Sequence, residues 1–404
     1  MFNIIINAVF IFLLLYCFIS VLYISFFSFA AKYFSNRRRL ADVILEPKHR
    51  IAILVPAYKE DNVILSTAHN LLNLNYPVEF YDVYIIADSF KAETLKRLAQ
   101  LPVNLIEVSF EESTKAKALN KAFETIKKNY HIALICDADN MLSKDFLKKI
   151  NNVFVDGAKA VQGRRVAKNM DTSFAILDGS SEAINNHIFR KGANAVGLSA
   201  SLIGSGMAFQ YDLVKEIMSE INAVGGFDKM LQLKVVQKGV SIEYLDNAFV
   251  FDEKVDSPLA FRHQRKRWVS SQFIYLNKFF LTGIKELFKG NFNYFNLAIL
   301  NNILLPKVFI FLLLALLSVF AYLVAPQWLG IILFFSCIYV ISVLLAIPPV
   351  FLNRRLLKAM RSVPKATFMM VRLFFQIRKA NKTFIHTIHT KNEISTSLFN
   401  DNGN

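Results

Sequence analysis

Cysteine is scarce in this chain: 404 residues hold three, Cys17, Cys136 and Cys337. Two lie in apolar runs and one in a predicted strand, with no paired spacing, which excludes a disulfide framework and a zinc-finger scaffold. Such usage suits a reducing compartment. No Gly-x-Gly-x-x-Gly fingerprint and no Gly-x-x-x-x-Gly-Lys loop occurs, so neither a dinucleotide-binding nor a P-loop reading has support. Gly204-Ser205-Gly206 is too short for either. The seven histidines show no His-x-x-x-His spacing beside a glutamate, and they read as surface or packing residues. Charge is missing altogether from Met1 to Ala31 and from Val308 to Asn353.

What is present in excess is apolar. Hydrophobic residues make up 54% of the chain and phenylalanine alone occurs 38 times, more than an ordinary soluble domain carries. The uncharged N-terminal run exceeds the roughly 20 residues that a bilayer span needs. Its charges, Lys32 and Arg37 to Arg39, follow the run instead of preceding it, which favours a transmembrane helix at 1–31 over a cleaved signal peptide. The run at 308–353 is long enough for a transmembrane hairpin turning at Pro326-Gln327-Trp328. Lysine and arginine flank the inner ends of all three spans, so the central region and a basic tail at 354–404 are expected on the cytoplasmic side of the inner membrane. The formal charge of +16 clusters beside apolar segments, at Arg37–Arg39, Arg262–Arg267 and Arg354–Lys391, which reads as charge facing membrane lipid and not nucleic acid. Val269, Phe273, Leu276, Phe280, Ile284 and Leu287 recur at steps of three and four, and segment 261–300 is expected to be amphipathic and interfacial.

Between these segments, β-rich runs alternate with helical patterns over 50–260. Ile51–Ala57, Tyr81–Ala87, Val103–Val108 and Ile132–Cys136 read as strands, with helices starting near Glu60, Ala92, Lys115 and Ser143. The fold class is therefore α/β, with a mainly parallel sheet covered on both faces. Ligands of such sheets bind beyond the carboxyl ends of the strands. Pro56 to Glu60, Asp88-Ser89 and Asp137-Ala138-Asp139 follow the first, second and fourth strands, so acidic positions converge on one edge.

Several stretches in order resemble the family 2 glycosyltransferases, in particular the membrane-integrated branch of cellulose, hyaluronan and poly-N-acetylglucosamine synthases. They are ValProAlaTyrLysGlu at 55–60, AlaAspSer at 87–89, LysAlaLysAlaLeuAsn at 115–120, AspAlaAsp at 137–139, GlySerGlyMetAlaPhe at 204–209 and GlnArgLysArgTrp at 264–268. Each is short; the ordered set over Ala52 to Trp268 carries the resemblance. It implies a GT-A, Rossmann-like catalytic domain that transfers a sugar with inversion from a nucleotide-sugar, a UDP-sugar foremost, to a saccharide or lipid-linked acceptor.

The resemblance also implies roles. Asp137 and Asp139 would hold Mg²⁺ or Mn²⁺, hard cations suited to carboxylate oxygens, with the donor diphosphate. Pro56, Tyr58, Glu60, Asp88, Lys115, Lys117 and Arg267 would line the donor, Asp88 at the nucleoside and Arg267 at the diphosphate. Gly204, Gly206, Gln264 and Trp268 would face the acceptor. Asp228, in GlyGlyPheAspLysMetLeuGln, aligns with the family's catalytic base, although Phe227 stands where that motif has glutamate; Asp252 and Glu253 are local alternatives. Gln162, Arg164 and Arg165 match a stretch beside the donor site, and LysThrPheIleHisThr at 382–387 resembles the closing segment. Gln-x-x-Arg-Trp favours processive synthesis, and three spans favour transfer of one sugar to a lipid carrier or reliance on a separate export partner. The replacement at Phe227 leaves a non-catalytic scaffold as the competing class.

Overall fold

The computed structural model describes residues 2–35, 46–223, 225–374 and 389–395. The run IleAlaIleLeuValProAlaTyr is apolar throughout, as a parallel strand covered on both faces must be. It forms β1 (Ile51–Tyr58), whose first five residues are all buried. The other strands are β2 (Tyr81–Asp88), β3 (Asn104–Val108), β4 (Ile132–Ile135), β5 (Met141–Leu142), β6 (Ala160–Ala167), β7 (Met207–Gln210) and β8 (Glu243–Asp252). They make one eight-stranded sheet in the order β3-β2-β1-β4-β7-β6-β8-β5. β1 to β4 are mutually parallel, and β7 runs against both β4 and β6.

Side-chain alternation along β1 feeds two cores. Ala52 and Leu54 pack on the side of Leu119 and Phe123, from the helix Lys115–Thr125, whereas Ile51, Ile53 and Val55 pack with Ile64, Leu71 and Ile150. Each fully buried Leu, Ile or Phe in these cores stabilises the fold by about 1.5–3 kcal/mol. The sheet is mixed, and β5 to β8 extend the four strands expected from the sequence. Two helices begin later than expected, at Ile64 and Phe146 in place of Glu60 and Ser143. The Glu60 carbonyl closes a turn by accepting from the Val63 and Ile64 amides, and Ser143 Oγ accepts from the Phe249 amide at 3.3 Å, tying it to β8.

Three helices are long and apolar enough to cross a membrane: Ile4–Tyr33, Lys307–Val324 and Pro326–Ala346. Cys17, Val21 and Ile24 of the first are buried against Ile310, Leu314 and Ile332 of the other two. Ser28 Oγ donates to the Ser342 carbonyl at 2.6 Å and Ser342 Oγ to Ser25 Oγ at 2.8 Å, the small polar contacts that let apolar helices approach. The α/β domain is docked onto the first helix by the turn His187–Gly192: a Cβ on Gly192 would lie 2.3 Å from the Phe27 carbonyl oxygen. The final helix of the hairpin ends at Ala346, short of the expected 353. Pro348 and Pro349 follow, and Phe351 is buried against Ile176 and Ala183 of the α/β domain.

Pro258–Phe288 is a single helix of 31 residues, started by Ser257 Oγ accepting from the Ala260 amide. Its apolar residues divide: Val269 and Tyr275 are buried and Leu276 and Ile284 pack partly on the core, while Ile274, Phe280, Leu281 and Phe288 are exposed. The predicted stripe is thus shared between the domain and the outside. Arg37–Arg39 and 382–387 lie outside the described residues.

Candidate functional site

β1 and β2 end side by side, with Tyr58 opposite Asp88. The next residue on each strand, Lys59 and Ser89, takes a positive φ of 55° and 60°, which costs a non-glycine residue on the order of 1 kcal/mol or more. These paired reversals open the carboxyl edge of the sheet into a cleft of about 950 Å³ that Pro56, Tyr58, Glu60 and Asp88 line. Asp88 is buried, and its carboxylate accepts from Ser89 Oγ at 2.9 Å.

After β4 the chain turns through Asp137 to Asn140. Ser205 organises this turn: its hydroxyl accepts from the Asp137 amide at 2.9 Å and donates to Asn140 Oδ1 at 2.5 Å. The Asp137 carboxylate points into the cleft and is ion-paired with Lys115, whose ammonium also donates to the Gly204 carbonyl at 2.7 Å. Asp139 is buried, with Oδ2 accepting from Asn140 Nδ2 at 3.1 Å and the Glu253 amide at 3.4 Å. Two hard carboxylates, one open to the cleft and one fixed, suit a divalent cation. Among the described residues no group of three or more His, Cys, Asp or Glu is arranged to hold an ion alone. The oxygens of a bound diphosphate would have to complete such a shell.

Behind the turn lies an ion network absent from the sequence expectations. Arg165 Nε donates to Glu182 at 2.5 Å and its NH1 lies 3.6 Å from Asp252; Lys254 bonds both carboxylates. Burial opposes ionisation of Glu182 and Asp252, yet Arg165 and Lys254 outweigh it and hold both carboxyls below their ordinary values. Asp252 is thereby committed, and it also accepts from Asn140. Gln162 holds the neighbouring loop, donating to the Ser205 carbonyl and accepting from the Ile203 amide at 3.0 Å. Arg164 turns instead to Asp246.

Gly204 lines the cleft; a Cβ there would stand 4.0 Å from Asp228 Oδ2. Gly206 has φ +61° and its missing Cβ would meet Val250 at 2.3 Å, so it packs the loop onto β8. Asp228 occupies the first turn of the helix Phe227–Gln237 and faces the cleft. Phe227 is buried and lies under the Lys115 ammonium, 5.1 Å from ring centroid to Nζ. Lys117 Nζ bonds the Glu112 carbonyl, leaving Lys115 as the member of the pair that lines the cleft.

Gln264, Arg267 and Trp268 line the cleft from the long helix. Arg265 does not serve as a surface anchor: it bonds buried Asp178 at 2.5 Å and stacks on Trp268 at 4.5 Å. Burial lowers the Arg267 pKa from its ordinary value. The tail then closes the rim. His389, expected as a surface or packing residue, sits 3.0 Å from Glu60 and lines the cleft; burial disfavours its charged form, but Asp139, Glu60 and Glu253 lift it to about 10. Glu253 accepts from the Thr390 and Lys391 amides, so it too is committed. The tail contact has no local pattern that sequence reading could detect, since His389 and Glu60 lie 329 residues apart, and the ion network joins Lys254 to Glu182 across 72.

Solved structures with a similar fold include the Pyrobaculum calidifontis mannosyltransferase PcManGT in complex with GDP-Man and Mn²⁺. Its TM-score is 0.51 at 17% identity, covering 84% of this chain and 96% of that one, a likeness of fold. The beta-monoglucosyldiacylglycerol synthase of Trichormus variabilis is 27% identical over 237 residues, 55% of this chain and 49% of the relative. The probable glycosyltransferase YdaM of Bacillus subtilis is 22% identical over 270 residues, 61% of each chain. This chain spans about half the length of the synthases it matches. The model of the glycosyltransferase like family 2 matches residues 47–271, more than half of the 404 residues, and the chain belongs to that family.

Proposed function

We propose that this protein is an inverting glycosyltransferase that takes a sugar from a nucleotide-sugar, a UDP-sugar foremost, and passes it to an acceptor presented from the membrane. One observation carries the reading: a single cleft joins Asp88, Lys115, Asp137 and Asp139 to Asp228, Arg267 and Trp268, and continues to Ile24 and Val343 of the membrane helices and to Leu305 and Ile347 at the ends of the hairpin. Asp88 accepts from the nucleoside; Lys115 and Arg267 neutralise the diphosphate. Asp137 and Asp139 would hold a divalent metal, Mg²⁺ or Mn²⁺, which when bound supplies Lewis-acid neutralisation of the leaving diphosphate. Asp228 takes the proton of the acceptor hydroxyl as that oxygen attacks the anomeric carbon opposite the departing diphosphate. Trp268 offers an apolar face to the acceptor and Gln264 a carboxamide.

The name of the glucosyldiacylglycerol synthases favours a lipid acceptor, as does the apolar end of the cleft. A second reading, processive synthesis, draws on Gln264, Arg267 and Trp268; product length on a sizing gel separates the two. The basic flanks favour a catalytic domain on the cytoplasmic face, where nucleotide-sugars are found. The test is nucleotide release by the full chain in membranes, with divalent metal, across a panel of nucleotide-sugars. Release that appears with one donor and is abolished in Asp137→Asn supports the reading. Absence of release with every donor, or full activity in that variant, would overturn it.

A further inference from the structure

Apart from Arg267 and His389, the cations of the cleft divide into two groups. In one group each cation has a carboxylate: Lys115 pairs with Asp137, Arg165 and Lys254 pair with Glu182 and Asp252, and Arg265 pairs with Asp178. On the membrane side, among the described residues, Arg190, Lys229 and Lys307 have no carboxylate within ion-pair distance. Arg190 is 5% exposed and donates only to the Ser201 carbonyl and Asn186 Oδ1, each at 3.0 Å. Lys229 donates to Asn302 Oδ1 at 2.6 Å, and Lys307 to Asn185 Oδ1 while lying 5.4 Å from the Phe189 ring centroid. All three line the same cleft, and Lys307 stands within electrostatic reach of both Arg190 and Arg265.

Carboxamides and carbonyls satisfy hydrogen bonds but do not neutralise charge. Burial lowers Arg190 to about 10, which leaves the guanidinium charged at neutral pH, and burial lowers Lys229 against the opposing pull of Asp228. Glu182 and then Asp228 pull on Arg190, and Asp228 on Lys229; Glu182 is already held by Arg165 and Lys254, and Asp228 faces the sugar site. Gathering buried like charges without a counter-ion is unfavourable by several kcal/mol unless an anion joins them or a lysine gives up its proton, and a bound anion favours the charged form. The same cleft is walled by Ile24, Leu305, Val343 and Ile347. A cationic collar over an apolar slot is complementary to an anionic head on an apolar tail.

We propose that the membrane-side half of the cleft binds a lipid bearing a phosphate, with Arg190, Lys229 and Lys307 holding the phosphate and the membrane helices holding the tail. The lipid's use as acceptor rests on the glycosyltransferase reading above; its binding does not. Phosphate is favoured over a neutral head because charge-assisted bonds to its oxygens supply the missing counter-charge. The hydroxyl that faces Asp228 then belongs to the head group or to a sugar attached to it.

Calorimetric titration of the detergent-solubilised full chain tests this without turnover. The probes are two pairs, short-chain phosphatidylglycerol with diacylglycerol and an isoprenyl phosphate with its isoprenol, together with inorganic phosphate. In at least one pair the phosphate-bearing member should bind about tenfold tighter or more, and inorganic phosphate should bind weakly. Lys229→Gln and Lys307→Gln should each erase most of that preference while leaving affinity for the neutral member unchanged. Arg190→Lys serves where Arg190→Gln does not fold, and should retain part of the preference. Equal binding within both pairs overturns the proposal, and so does inorganic phosphate binding as tightly as the lipid, which would mark a free-anion site. Selective lipid binding with no nucleotide release from any donor would leave the site standing and remove only the transferase reading.

Discussion

Asp137 is ion-paired to Lys115 and is also the carboxylate most open to the cleft among the two proposed to hold metal. Asparagine keeps its shape but removes the charge, so nucleotide release by Asp137→Asn should fall about 100-fold or more, the scale of losing one electrostatic contributor in a transfer reaction. The unchanged thermal midpoint of that variant would show that the loss is chemical. Glu182 makes the complementary case. It is buried between Arg165 and Lys254, and Glu182→Gln leaves two cations facing Asp252 alone, a loss of about 3–5 kcal/mol by the usual cost of breaking a buried pair. Because the folded pKa values of Glu182 and Asp252 lie below their ordinary 4.5 and 3.8, their stabilisation is fully present above those values. It is lost as pH falls through the depressed folded values. A melting series should therefore be flat on this account from pH 7 to about pH 4.5 and fall from there to about pH 2, more shallowly for the variant than for the wild type.

The loop at 204–206 and the tail at 389–395 are the elements that shape the cleft. Gly206 combines φ +61° with a Cβ position 2.3 Å from Val250, so Gly206→Ala should cost about 2 kcal/mol or more and shift Gln162 and Ser205. The melting midpoint reads the first effect and loss of nucleotide affinity the second. The tail is held by His389 on Glu60, by the Thr390 and Lys391 amides on Glu253, and by the Ser395 amide on the Lys168 carbonyl at 3.0 Å. His389 has a folded pKa raised from 6.5 to about 10. Its contribution is complete below pH 6.5 and disappears as pH rises through about 10. Amide exchange at Thr390 and Lys391 should stay slow up to about pH 8 after correction for intrinsic rates, and accelerate above it. In His389→Gln it should be fast at every pH, and slow exchange there would refute the role of the ion pair.

Across the whole molecule, the three apolar helices and the α/β domain share one cleft, and orientation decides which solution that cleft samples. In a Cys337→Ser background, Trp328→Cys should react with a membrane-impermeant thiol reagent on intact cells. Glu124→Cys, at a side chain 68% exposed on the domain, should react only after permeabilisation. The opposite pattern would invert the proposed topology. Much of this architecture was legible because its signals are local. The apolar runs, β1 to β4 within one or two residues, and the ordered short motifs on the carboxyl edge all depend on periodicity and on neighbours close in the chain. The sequence by itself determined the α/β class, the apolar helices and the identity of Asp88, Asp137, Asp139 and Asp228 as residues to watch. Only the tertiary structure decided that Lys115 and not Lys117 lines the cleft, that Asp252 and Glu253 are already committed, and that His389 returns to the site. It alone gathered Arg190, Lys229 and Lys307 at the membrane end. Ion pairing and desolvation depend on distance in space, and although Asp252 and Lys254 are near neighbours, most of these partners come from elements dozens to hundreds of residues apart, whose proximity no local pattern encodes.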